Sequence, residues 1–335
     1  MRPAASAMTR HARGRDHGEH RVRGEAAQRE AKPAELALLL VTYGPVGLLD
    51  LSDSSAILPS RPSCPELPLL TVTRGDAMIR PGLCSVTFRA LPVEEVIALT
   101  ADAGLTGIEW GGDVHVPAGD TQTAQRVRAL TQQAGLEVLS YGSYLRLTGP
   151  EDEHDAEVEA VLASASALGA PRVRIWAGDS GSAEVDEQAR SVLTSRLRAL
   201  CERAAADGIE IGLEHHRGTL TDDLGSSLRL LHETDHPSLR TYWQPNLGQG
   251  TAEAVADLRQ LLPQVSTVHV FSWWPWDERI PLAQRSDLWH EVFAVLAADE
   301  TDHDALLEFV PDDAPRLLPR EAETLRTLVA EAGAR

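Results

Sequence analysis

The sequence predicts an α/β protein, a single-domain (β/α)8 TIM barrel over residues 78–335, preceded by an N-terminal extension that does not conform to it. Three observations predict it. From Met78 onward, short β-type runs alternate with amphipathic helical runs eight times, and such alternation means parallel strands joined by right-handed crossovers. The eight units occupy 258 residues, the usual size of this barrel. The competing fold, an open doubly wound sheet, normally carries a Gly-rich phosphate turn after its first strand. None follows Ser85-Val86-Thr87.

The elements run in order. The first unit is a strand at Gly82–Thr87 and a helix at Val93–Ala103, closed by Gly104-Leu105. The second pairs Gly107–Trp110 with Thr123–Ala134, closed by Gly135-Leu136. The third pairs Glu137–Tyr141 with Ala156–Leu168, and the fourth Arg172–Trp176 with Glu187–Ala206, closed by Gly208-Ile209. A glycine followed by an apolar residue is a left-handed helix stop that opens the next strand. Units five and six are Ile209–Glu214 with Ser226–Glu233, and Thr241–Gln244 with Ala252–Leu262. Thr267–Phe271 with Ser286–Ala298 and Ala305–Phe309 with Glu321–Ala332 complete the set.

Composition narrows the chemistry. The formal charge is −19, and residues 78–335 hold 21 basic against 41 acidic side chains. That balance argues against nucleic acid or an anionic membrane surface as partner. Lys32 is the only lysine in the chain, so residues 78–335 hold no amine for a Schiff-base aldolase or a pyridoxal-phosphate enzyme. Three cysteines (Cys64, Cys84, Cys201) are too few for a disulfide framework, and a reducing cytoplasm is expected. No apolar run reaches the roughly 18–20 residues of a spanning helix. Residues 1–32 are rich in Arg, His and Glu without apolar periodicity and read as disordered. Leu36–Leu51 is apolar but broken by Gly44, Pro45 and Gly47. As a secretory signal it would follow a basic region over 30 residues long and lack a nearby small-x-small cleavage site. Residues 1–77 are therefore expected to be an adventitious extension.

Catalytic groups in such barrels lie at the C-terminal ends of the strands. Those ends read Thr87-Phe88, Glu109-Trp110, Tyr141 with Tyr144, Trp176, Glu214-His215-His216-Arg217, Trp243-Gln244-Pro245-Asn246, His269 with Trp273-Trp274, and Glu308. Buried strands should be aliphatic, and the first halves of the later ones comply. Glu214, Gln244, His269 and Glu308 are spaced by 30, 25 and 39 residues, about one unit each, so four successive strands would bring them to one mouth. Two carboxylates, an imidazole and an amide oxygen suit one divalent ion: Mn²⁺, Mg²⁺, Co²⁺ or Zn²⁺. The alternative is that each caps a strand or bonds a neighbouring loop.

The segments GIEWGGDVHVPAGD (Gly107–Asp120), RIWAG (Arg174–Gly178), LEHHRGTLTD (Leu213–Asp222), TYWQPN (Thr241–Asn246), HVFSWW (His269–Trp274) and LLEFV (Leu306–Val310) carry a resemblance. From Met78 onward the chain resembles the xylose-isomerase-like barrel superfamily of sugar-phosphate isomerases and epimerases. The resemblance implies one divalent metal held by Glu, Asp, His and Glu from the last four strands, with the two Glu transferring protons. Glu214, His269 and Glu308 match by type, and Gln244 stands where Asp is usual. An amide oxygen can bind a cation but adds no charge.

Other strand-end groups are candidates for substrate contact. Glu109 could orient His269 or a substrate hydroxyl, or else form an interior salt bridge to Arg174. His115 is placed at the mouth, and His216 is expected to share the direction of Glu214, two residues before it. His215 is expected to face the helices. Arg217 could grip a carboxylate or phosphate. Trp110, Tyr141, Trp176 and Trp273 are read as substrate-facing, since aromatic faces suit the C–H face of a sugar ring and exclude water. Six of the seven tryptophans fall at or after strand ends. A subunit interface, hence a homo-oligomer, is the rival reading of Trp273-Trp274-Pro275-Trp276. The resulting expectation is a metal-dependent isomerase or epimerase of an unphosphorylated sugar or polyol. Glu214 and Glu308 would move the proton through an ene-diolate. A metal-dependent polyol (inosose-type) dehydratase and a non-catalytic sugar-binding barrel are the alternatives.

Overall fold

A computed structural model of the chain describes residues 78–334. The expectations for residues 1–77 lie outside the described residues. Among the described residues, eight parallel strands close into a barrel in sequence order: β1 (Ile79–Cys84), β2 (Gly107–Gly111), β3 (Glu137–Gly142), β4 (Arg172–Ile175), β5 (Glu210–Glu214), β6 (Leu239–Trp243), β7 (Val265–Val270) and β8 (His303–Leu307). The helices α1 (Val93–Asp102), α2 (Thr121–Gln133), α3 (Glu151–Leu168), α4 (Glu187–Ala206), α5 (Leu224–Thr234), α6 (Thr251–Leu261), α7 (Ser286–Ala297) and α8 (Leu318–Gly333) follow the strands one for one. This is the expected TIM barrel.

Helix boundaries follow local chemistry. Asp120, Asp186 and Asp223 cap α2, α4 and α5 by accepting a backbone N–H three residues on. Gly104, Gly135 and Gly208 stop their helices at φ of +69°, +75° and +72°. Helix α3 starts five residues before its expected place, at Glu151. Its first turn holds Glu151, Asp152 and Glu153, which favour a helix N-terminus.

Strand β1 departs most from expectation. It runs Ile79–Cys84 rather than Gly82–Thr87, and Ser85–Phe88 coil into a 3-10 turn. Ser85 Oγ accepts the Gly111 N–H at 2.8 Å, and Thr87 Oγ1 accepts the Phe309 N–H at 3.0 Å. These hydroxyls replace the ladder bonds a continuing strand would make.

The main core lies between sheet and helices, where Leu83, Ile108, Val173, Ile211, Leu213 and Val268 back onto helical Leu and Val. Inside, the N-terminal end of the barrel is closed by ions. Asp304 receives Arg80 Nε at 2.8 Å and Arg172 Nη1 at 3.2 Å, and Arg172 Nη2 also meets Glu210 at 2.8 Å. Gly212 leaves room for the Tyr242 ring, since a Cβ there would sit 2.2 Å from it.

Candidate active site

The other end of the barrel is open, with a cavity of about 520 Å³ lined by Arg174, Glu214, Gln244 and Glu308 among others. At its base His269 on β7 is fully buried. Three oxygens surround its Nδ1: Gln244 Oε1 at 3.1 Å, Glu308 Oε2 at 3.4 Å and Glu214 Oε1 at 3.6 Å. Donors about 2.0–2.2 Å from a shared ion stand roughly 3–3.5 Å apart at tetrahedral or octahedral angles. The three oxygens stand from Nδ1 at about the distance of neighbouring donors on one ion, and Glu214, His269 and Glu308 form one candidate metal group. Cys84, Glu109 and His269 form a second, on the far side of the same imidazole.

The carboxylates are not equivalent. Glu214 Oε2 accepts Arg174 Nη1 at 2.6 Å and the Trp176 indole N–H. Burial opposes its charge, but Arg174 and His269 outweigh that and hold its pKa far below the usual carboxylate range. Glu109 lies beneath the cavity, its Oε2 accepting Ser140 Oγ at 2.7 Å and its Oε1 facing Arg174 Nε at 3.3 Å. Burial is again outweighed, by His269 and Arg174, and the Glu109 pKa falls to about 2. Glu109 Oε1 also stands 3.6 Å from His269 Nε2, where it can orient the ring. Among the described residues no guanidinium is bonded to Glu308, and burial raises its pKa. For His269 burial opposes protonation, yet Cys84 and Glu308 raise its pKa well above normal. A proton on this ring and a cation at Nδ1 are alternative answers to the same crowd of carboxylates.

Of the residues read as substrate contacts, Trp176, His216, Arg217 and Trp273 line the cavity. The His216 ring stacks on Trp176 with centres 4.6 Å apart. Four expected contacts are absent from the lining, the first being Glu109, which lies beneath the cavity. Trp110 turns toward the helices and donates to Thr131 Oγ1 at 3.2 Å. Tyr141 does likewise, donating to Val116 O at 2.8 Å. His115 is buried beneath its loop between Ser85 Oγ and Leu91 O, each 3.0 Å away. The reverse holds for His215, which lines the cavity instead of facing the helices, because β5 ends at Glu214 and the chain turns there.

Several cavity groups escaped the sequence reading as site residues: Arg174 (considered only as a partner of Glu109), Arg89, Tyr144 and Phe309. Arg89 Nη2 donates to the Tyr144 hydroxyl at 2.6 Å. Arg172 and Arg174 alternate along β4, so both point inward; two arginines in the RVRI strand were the available signal.

The xylose isomerase-like TIM barrel family model matches residues 97–328. The chain belongs to the xylose isomerase-like TIM barrel family. A 3-dehydroshikimate dehydratase of Bacillus anthracis is 28% identical over 195 residues, 56% of this chain and 70% of that protein. The crystal structure of the probable 3-DHS dehydratase AsbF of Bacillus anthracis superposes with a TM-score of 0.63 at 24% identity, covering 74% of this chain and 99% of that one. A 3-keto-D-glucoside 4-epimerase from E. coli gives 0.57 at 16% identity, covering 74% and 99%. The two structures share the family fold with this chain.

Within the family fold, Gln244 can be tested directly. Gln244→Asp is expected to tighten Mn²⁺ binding on the order of tenfold, because a ligand charge is added at similar reach. Calorimetry reads it; equal affinity in this variant and in His269→Ala would remove these four residues from consideration as a metal site.

Proposed function

We propose that this chain dehydrates a cyclic hydroxyketone carboxylate of the 3-dehydroshikimate class, with one divalent ion held by Glu214, Gln244, His269 and Glu308. The observation that favours dehydration over two-glutamate epimerisation is the state of Glu214. Epimerisation by two carboxylates needs each of them free to take and release a proton. Glu214 already spends Oε2 on Arg174 and Trp176, which suits a ligand rather than a base. His216 is better placed to carry a proton. Its Nδ1 stands 2.8 Å from the Arg217 carbonyl, which can only accept, so Nδ1 bears the hydrogen and Nε2 keeps its lone pair.

In this reading His216 Nε2 takes the proton from the carbon beside the ketone. The hydroxyl on the next carbon leaves with its bonding pair, accepts a proton from the His216 imidazolium, and departs as water. Trp176, stacked on His216, keeps the imidazole plane fixed. The divalent ion, when bound, supplies positive charge for the anion that develops on the ketone oxygen. Arg217 is exposed in the same lining and has no ion pair among the described residues, so it is available to a substrate carboxylate. The 28% identity to a named dehydratase supports the same choice.

The test is to supply 3-dehydroshikimate with Mg²⁺, Mn²⁺ or Co²⁺. Loss of one water leaves a ring dienone, which enolises by moving a proton from the ring CH2 to the ketone oxygen and so gives 3,4-dihydroxybenzoate, followed by ultraviolet absorbance and mass spectrometry. Turnover should vanish with a chelator and return with added metal. No aromatic product with any of the three ions, alongside solvent deuterium entering a ketose, would replace dehydration by epimerisation.

A further inference from the structure

We propose that Arg279, outside the cavity lining, is a positioning residue that shapes the substrate wall beside Glu308 by clamping two loops together. The β7–α7 connection folds back on itself. Trp273 pairs antiparallel with Arg279, Trp274 N–H donates to Glu278 O at 2.9 Å, and Ile280 N–H donates to Ser272 O at 2.9 Å. From this hairpin the Arg279 side chain crosses to the β8–α8 connection. It ion-pairs with Asp313, and its guanidinium lies 4.3 Å from the centre of the Phe309 ring and 5.3 Å from that of Trp273. The two rings are 5.5 Å apart and both line the cavity.

The β8–α8 loop needs such a clamp. Phe309, Asp312 and Asp313 have φ of +59°, +60° and +48°, a region that residues other than glycine rarely occupy. Such backbone persists where its surroundings over-determine it. For Phe309 those surroundings are Thr87 Oγ1, which accepts its N–H at 3.0 Å, and the Arg279 guanidinium over its ring. Glu308 is anchored separately, its N–H donating to Val270 O at 3.1 Å. The clamp therefore governs the aromatic wall and not the carboxylate, so its loss should weaken substrate binding while sparing the ion.

The kinetic arm rests on the dehydratase reading; two other arms do not. In Arg279→Met, amide hydrogen exchange across residues 309–313 should quicken about tenfold, the order expected from losing a cation–π contact and an ion pair. KM for 3-dehydroshikimate should rise about tenfold with kcat within about threefold, and Mn²⁺ affinity by calorimetry should not change. Arg279→Lys keeps the charge opposite Asp313 but loses the flat guanidinium, and should restore slow exchange only in part. Wild-type exchange in Arg279→Met overturns the proposal. So does faster exchange spread over the whole barrel, or a loss of Mn²⁺ affinity that parallels the change in KM. A wild-type protein that makes no aromatic product ends the dehydratase reading alone, and exchange and Mn²⁺ affinity still decide the clamp.

Discussion

Arg174→Met should lower stability by about 3–5 kcal/mol, the cost of leaving buried charge without its partner. Arg174 is 2% exposed and bridges Glu109 and Glu214, which are 1% and 3% exposed. Methionine fills much of the volume, so a cavity adds little and the loss reports the charges. For a domain of this size that corresponds to a melting temperature on the order of 10 °C lower. Arg174→Lys should fall between, because one ammonium cannot reach both carboxylates as the guanidinium fork does. Urea denaturation with a chelator present isolates the effect from any bound ion. A change below about 1 kcal/mol would mean that water or a shifted side chain already compensates the pair.

His216→Gln should lower turnover of 3-dehydroshikimate by about 10²–10⁴, the usual worth of a positioned acid–base group. Glutamine can still bond the Arg217 carbonyl and lie against Trp176, but it cannot hold a proton in transit. Mn²⁺ affinity should be unchanged, because His216 is not among the groups around His269 Nδ1. Calorimetry and single-turnover absorbance measured on the same preparation separate the two effects. A loss under tenfold would move the proton-carrying role to Glu308.

The barrel and its four converging groups were legible because both follow from strand periodicity. Glu214 ends β5, His269 is the penultimate residue of β7, and Gln244 and Glu308 directly follow β6 and β8, so one unit of spacing between them repeats the position around the mouth. The same periodicity, applied strictly, would have corrected two residues. Glu109 points inward, so Trp110 beside it must point outward. Ser140 bonds Glu109 from inside, and Tyr141 accordingly faces the helices. Beyond the strand ends this rule lapses, which is why His215 went astray. It is also why the Arg279, Phe309 and Asp313 contacts left no trace in the sequence. The bend at Ser85 depended on hydroxyl partners that arrive from β2 and β8.

The barrel seam has a consequence for how the protein is made. Strands β1 and β8 pair from Ile79 with His303 to Leu83 with Leu307, and bonds across this seam join residues 224 apart in the chain. At synthesis rates of about 5–20 residues per second, β1 waits on the order of tens of seconds for its partner. Until then the nascent sheet carries two unpaired edges, a template for pairing with other chains. Glu308 directly follows β8, so the last-made strand both seals the edges and completes the candidate ligand set. A ribosome stalled before β8 would release a chain lacking closure and chemistry together, and quality control would meet it as an open sheet.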